Sequence, residues 1–205
     1  MIESIINGIF PTPVYISKLG RELTEKELSF VDKSKLDIYK NDGNTTSNDN
    51  HILNQKSFSS LKEELYLRVE DYFDKVISTT DVITPYITQS WLNYTEANQY
   101  HHKHEHPNSL VSGVFYINCH EELDKINFFK KDAYQIIKPK IKDWNLYNSE
   151  TWWFTVKTGD IILFPSSLTH MVETKKGDNT RISLAFNVFV KGIIGDNKSL
   201  TELIL

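Results

Sequence analysis

The chain has one cysteine, Cys119, in 205 residues. A lone thiol cannot close an internal disulfide or build a cysteine-based zinc site, and such usage suits a reducing compartment. Positive charge is not in excess either. Lysine and arginine number 23 against 27 aspartates and glutamates, for a formal net charge of −4. Binding driven by phosphates needs a cationic surplus, so no nucleic-acid partner is expected. No apolar run approaches the ~18 residues of a spanning helix. Residues 1–7 lack both the basic flank and the long apolar stretch of a secretion signal. No membrane association is expected, and the expected location is the cytoplasm. Repeats, low-complexity tracts and linkers are also missing, which leaves one domain over 1–205.

What is present is an ordinary globular composition with a generous 12% of aromatic residues, which favours strands and apolar pockets. Two prolines keep residues 9–16 extended, with a strand expected at Val14–Ser17. From Thr24 to Leu36 the spacing predicts a helix with Leu28, Val31 and Leu36 on its apolar side. Thr24 and Glu27 fit a capping box. Residues 40–54, rich in Asn and Asp, read as a polar loop. From Ser57 to Ser78, Phe58, Leu61, Leu65, Val69, Tyr72, Phe73 and Val76 recur at three and four, forming one helical stripe. Beyond Thr84 the pattern becomes short strands: Pro85–Tyr94, Leu110–Asn118, Lys125–Phe129, Glu150–Lys157, Asp160–Pro165 and Arg181–Val190. Such strands between turn residues indicate a β-sandwich or barrel, with the two helices covering one sheet.

The densest chemistry is Tyr100-His-His-Lys-His-Glu-His-Pro-Asn108, which holds four of the seven histidines. On a regular strand His102, His104 and His106 share one side, while His101 and Glu105 face away. Asn108 is the next position on the side of His106. Neutral imidazole is the commonest protein metal ligand and suits iron, zinc and copper. Taken alone, His-x-His is more often a polar surface run. Two downstream features change that balance. Gly159–His170 reads as turn, strand, turn and a single histidine. Arg181 then stands inside an apolar strand with Ser183 two residues on. A buried arginine needs a partner, and no acidic residue follows at i+2 or i+4. An acidic ligand would explain its place.

The ordered set His104-x-His106, His170 and Arg181-x-Ser183 resembles the 2-oxoglutarate/Fe(II)-dependent oxygenase superfamily. The similarity is to the phage and marine bacterial type. It extends through Phe10-Pro-Thr-Pro-Val-Tyr15, Ser109–Tyr116 and Leu163–His170, over about residues 9–190. The resemblance implies a mainly β fold, a double-stranded β-helix (jelly roll) with N-terminal helices packed on one sheet. It divides the domain into a strand and helical layer (1–83), a jelly-roll core (84–195) and a tail (196–205). A phage-encoded chain would act in the host cytoplasm.

The resemblance further implies Fe(II) as cofactor and 2-oxoglutarate and oxygen as co-substrates. It implies hydroxylation of an unactivated C–H bond in a protein or small molecule, with release of succinate and CO2. Residue by residue, His104, His106 and His170 match the metal ligands. His106 stands where the family places a carboxylate. Arg181 matches the residue that takes the far carboxylate of 2-oxoglutarate, with Ser183 and Tyr94 beside it. Trp91, Tyr100 and Tyr116 are candidates for the pocket wall. Alternatives stay open at this point. Glu105 could supply a carboxylate from an irregular backbone, or the shifted pair His102/His104 could hold the metal. Three histidines also suit a cupin-like metalloenzyme that does not use 2-oxoglutarate. A non-catalytic jelly-roll binding or structural module is the third reading. No chemistry is assigned to Cys119 or His120.

Overall fold

The computed structural model describes residues 2–131 and 139–205. Its elements in chain order are β1 (Tyr15–Lys18), α1 (Glu25–Ser34), β2 (Ile38–Lys40), β3 (Thr45–Ser47), α2 (Ser59–Tyr72) and β4 (Ile83–Thr95). There follow β5 (His101–His104), β6 (Val111–Asn118), β7 (Lys125–Phe129) and β8 (Thr151–Thr155). The last are β9 (Asp160–Pro165), β10 (His170–Val172), β11 (Arg181–Ile194) and β12 (Leu203–Ile204). Two antiparallel sheets result. The larger runs β1-β9-β6-β11-β4-β3-β2, with β12 added to the end of β11, and the smaller runs β5-β10-β7-β8. This is the mainly β, double-stranded β-helix arrangement with two helices on the larger sheet.

The helices cover the larger sheet because their stripes and its outer face are both apolar. Leu61, Leu65, Val69 and Tyr72 of α2 are fully buried. They join one cluster with Leu92, Tyr94, Phe115, Ile161, Leu163, Leu184, Phe186 and Val188 from the strands. Period-2 alternation then sends Trp91, Asn93, Tyr116, Arg181 and Ser183 to the other side of the sheet, where they line a pocket under the smaller sheet. A second cluster closes that inner side: Tyr116, Ile126, Phe128, Val156, Ile162 and Phe164.

Several expectations need revision. In α1 only Val31 of the predicted apolar side is buried, while Leu28 and Leu36 are exposed. The inward face is instead Glu27 and Val31, one turn apart. Glu27 tolerates burial because its carboxylate accepts from the Thr24 backbone N–H at 2.8 Å and from both Arg21 terminal nitrogens at 2.8 Å. The capping box itself is formed. Residues 40–54 are not simply a loop. Asn41–Asn44 turns the β2–β3 hairpin, and β3 then pairs with β4. The long helix ends at Tyr72 and continues as a wider π-type turn, Phe73–Ile77, which stops at left-handed Ser78. The C-terminal residues contain β12, which pairs Ile204 with Ile193.

Candidate metal and co-substrate site

A bulge sets the geometry of the site. His170 of β10 pairs with His104 of β5, but Val172 pairs with His101. Three steps along β5 therefore face two along β10. The extra residue breaks strict alternation, which turns His101 and His104 toward the same side. His101 lines the pocket and its ring stacks on His104 at 4.7 Å. The expected order is thus inverted, because His102 is absent from the pocket wall. Its Nδ1 lies 3.9 Å from the Asp42 carboxylate, over the β2–β3 turn. His106 follows the end of β5 and is held by its backbone N–H to the Ser166 carbonyl, 3.0 Å.

His104, His106 and His170 each offer a nitrogen, and these nitrogens all lie within 4.8 Å of one another. The partners of the opposite ring nitrogens fix which atoms converge. His104 Nδ1 meets the His102 carbonyl at 2.8 Å, and His170 Nδ1 meets the Leu168 carbonyl at 3.0 Å. His106 Nδ1 meets Asn187 Oδ1 at 2.6 Å. Carbonyl oxygens only accept, so each Nδ1 carries the hydrogen and donates it. Each Nε2 is left with a lone pair. The Nε2 atoms of His104 and His106 face each other at 3.0 Å. Two lone pairs so placed repel, whereas a shared cation bonds both. Donation from Nδ1 to an oxygen is also how metal-binding histidines are commonly oriented.

Burial keeps these rings neutral. It pushes His104 down to about 4 and His170 down to about 3, and it lowers His106 as well. Protons therefore compete little for the ligand nitrogens at neutral pH. Trp91 stacks on His106 at 5.8 Å, and Phe164 sits edge-on to His170 at 4.7 Å. The donor set fits a borderline divalent metal such as Fe(II). No carboxylate joins it among the described residues of the pocket wall. Glu105 points away and accepts from Thr169 Oγ1. Asn108 is exposed, with φ at +57°. His101, His102 and His104 form a second group within 4.8 Å, but His170 lies outside it.

The other end of the pocket is cationic. Arg181 is 4% exposed and Ser183 7% exposed, both on the pocket side of β11. Arg181 donates from Nη2 to Thr95 Oγ1 at 3.1 Å, and its Nη1 lies 3.7 Å from Asp124 Oδ1. Lys175 Nζ approaches the same carboxylate oxygen at 3.8 Å. Arg181 therefore has an acidic neighbour that its own strand does not supply. Even so, Arg181 and Lys175 approach the same carboxylate oxygen at 3.7 and 3.8 Å, longer than a direct hydrogen bond, so the guanidinium can still take an anionic ligand. Asn93 Oδ1, also in the wall, is buried without a hydrogen-bond partner among the described residues.

Tyr94 is not brought to this pocket. Arg181 pairs with Thr95, so Thr95, Asn93 and Trp91 share its side of the sheet and Tyr94 points to the helices. There its hydroxyl donates to the Val31 carbonyl at 2.8 Å in the core. Tyr116 lines the pocket instead, directly paired with Ser183 across the sheet. Tyr100 lies over Gly43 and bonds Asp42, away from the cavity. Cys119 packs at the inner cluster, and burial raises its thiol to about 12, which suits a passive role. Asn187, Asp124 and Lys175 were not anticipated. Asn187 alone had a sequence signal, as a polar residue on the same side of an apolar strand as Arg181 and Ser183.

Asn187 carries a prediction. Replacing it with leucine removes the acceptor that orients His106. Divalent-metal affinity, measured by competition with a chelating dye, should fall about 10–100-fold with the fold intact. Unchanged affinity would show that His106 needs no such orientation.

Comparison with known proteins adds the family. Residues 89–187 match the family described as "Putative 2OG-Fe(II) oxygenase". No curated protein matches the sequence. Among solved structures, the chain is similar to an oxidoreductase of the 2OG-Fe(II) oxygenase family from Burkholderia pseudomallei. The TM-score is 0.55 and the identity 13%, over 80% of this chain and 78% of that one. HygX from Streptomyces hygroscopicus, solved with nickel, 2-oxoglutarate and hygromycin B bound, gives 0.57 at 12% identity, over 86% and 82%. The non-heme alpha-ketoglutarate-dependent epimerase SnoN from nogalamycin biosynthesis gives 0.58 at 9%, over 87% and 78%. At these identities the structural likeness speaks for the fold, a double-stranded β-helix.

Proposed function

We propose that this chain, whose residues 89–187 match the 2OG-Fe(II) oxygenase family, acts as such an enzyme, that His104, His106 and His170 hold the Fe(II) through Nε2 and that Arg181 and Ser183 receive the far carboxylate of 2-oxoglutarate. The enzyme then hydroxylates an unactivated C–H bond in a protein or small-molecule substrate. One observation carries this reading. Three histidines turn unprotonated nitrogens toward one another, and the pocket they share ends on a buried arginine. Bound iron, with 2-oxoglutarate and oxygen, supplies the oxidising chemistry and yields succinate and CO2.

The chain's own residues supply position and dryness. The three Nδ1 donations fix the ligand rings before metal arrives. Arg181, braced by Thr95 and Asp124, presents a planar fork to a carboxylate. Ser183 and Tyr116 place hydroxyls at the same end of the pocket. Trp91, Phe164 and Ile126 exclude water from the wall between the two ends.

An all-imidazole set lacks the negative charge of a carboxylate ligand, which supports a second reading: a three-histidine enzyme that does not use 2-oxoglutarate. The two separate in one assay. Protein loaded with Fe(II) should convert 2-oxoglutarate to succinate in air, slowly without substrate, and zinc-loaded protein should not. Iron-loaded protein that forms no succinate, with or without candidate substrates, favours the second reading.

A further inference from the structure

We propose that His101 is a co-substrate-binding residue, donating a ring N–H to a carboxylate oxygen of 2-oxoglutarate on the wall between the metal ligands and Arg181. This rests on the function proposed above and adds a residue to it. Three observations point to it. The β5 bulge is the device that brings His101 inward, because regular alternation from His104 would have turned it out. Its ring then stacks on His104 at 4.7 Å with the planes 13° apart, in the same pocket wall as Arg181 and Val172. Finally, it makes no side-chain hydrogen bond among the described residues, whereas His104, His106 and His170 each have Nδ1 engaged.

That last contrast separates its role from theirs. A ligand histidine needs one nitrogen oriented by the protein and the other free for the metal. Among the described residues, neither nitrogen of His101 is oriented by a side-chain or backbone partner. A neutral imidazole still has one N–H to give, and on this half-buried ring that donor is free for a ligand in the pocket. A dianion spanning from the histidines to Arg181 would lie in the pocket that this ring lines. An N–H donated to a carboxylate is a charge-assisted bond and belongs to the stronger class. The alternative is that the ring is only a packing plate beneath His104.

The test measures binding and does not need turnover. Calorimetric titration of 2-oxoglutarate into anaerobic, metal-loaded protein gives its Kd, and chelator competition gives metal affinity separately. His101→Phe keeps the stacked ring and removes the donor. It should weaken 2-oxoglutarate about tenfold or more while metal affinity stays within about twofold. His101→Asn and His101→Gln return an N–H at the Nδ1 or Nε2 position, and one of them should recover most of the loss. If His101→Phe binds 2-oxoglutarate as wild type does, the ring is packing only and the inference is overturned. If His101→Phe loses metal as His104→Ala does, His101 is a ligand and the inference is again overturned. Should wild type itself fail to bind 2-oxoglutarate, both this inference and the function it rests on fall. A wild type that binds, and that is weakened by Arg181→Met but not by His101→Phe, removes His101 alone.

Discussion

Replacing His170 with alanine should abolish stoichiometric Fe(II) binding. In the proposed site three imidazoles are the protein's donors, and loss of His170 leaves two Nε2 atoms 3.0 Å apart, at the end of β5 and just past it. Disturbing the partner of a ligand costs about 10–100-fold in affinity, so loss of a ligand itself should exceed about 100-fold. His104→Ala should match it. His51→Ala, which changes an exposed histidine outside the cluster, should bind iron as wild type does. His170 packs between Phe128 and Phe164, so the alanine variant loses some packing. Its cooperative thermal transition, measured without metal, checks that the fold survives. Equal iron affinity in wild type, His104→Ala and His170→Ala would remove the assignment. Loss in His102→Ala but not in His106→Ala would select the shifted pair.

The second large effect concerns Arg181. Substitution by methionine keeps length and apolar volume but removes the fork that faces the pocket. Charge-assisted hydrogen bonds contribute roughly 1.5–3 kcal/mol each, so 2-oxoglutarate affinity should fall at least about tenfold. The change also leaves the Asp124 carboxylate with Lys175, at 3.8 Å, in place of two cations. Arg181→Lys retains the charge without the fork and should fall between wild type and methionine. Iron affinity should change little in both variants, because Arg181 is not in the histidine cluster. Equal 2-oxoglutarate affinity in all three proteins would break the link between this arginine and the co-substrate.

How much of this was legible depends on the kind of interaction. Strand positions were readable because alternation and turn residues are local, and β7 and β9 run over the very residues the pattern indicated. The capping box was readable for the same reason. The inward face of α1 was not. Leu28 looks like core by type, yet Glu27 is the residue carried inside, because Arg21 and Thr24 satisfy its carboxylate. Hydropathy cannot register a partner six residues away that makes burial of a charge tolerable.

The site divides in the same way. The convergence of His104, His106 and His170 was expected from the family resemblance, with the shifted pair His102/His104 left open. The face of His101 was not, because a bulge is a property of two paired strands and β5 alone does not reveal it. Tyr94 was misplaced for a reason the sequence did contain. Trp91 and Tyr94 are three apart on one strand, so a period of two forbids them a common side. Asp124 and Lys175 meet Arg181 only through tertiary folding, and no spacing rule could have joined them.

The central claim is that one pocket binds a metal at its histidine end and 2-oxoglutarate between that metal and Arg181. Anaerobic titration of Fe(II)-loaded protein with 2-oxoglutarate, followed by visible absorption, tests it most directly. A weak charge-transfer band is expected that saturates at one equivalent, is absent with zinc, is lost in His170→Ala, and needs more 2-oxoglutarate to saturate in Arg181→Met. Iron that binds tightly while 2-oxoglutarate produces no band and no heat of binding would contradict it.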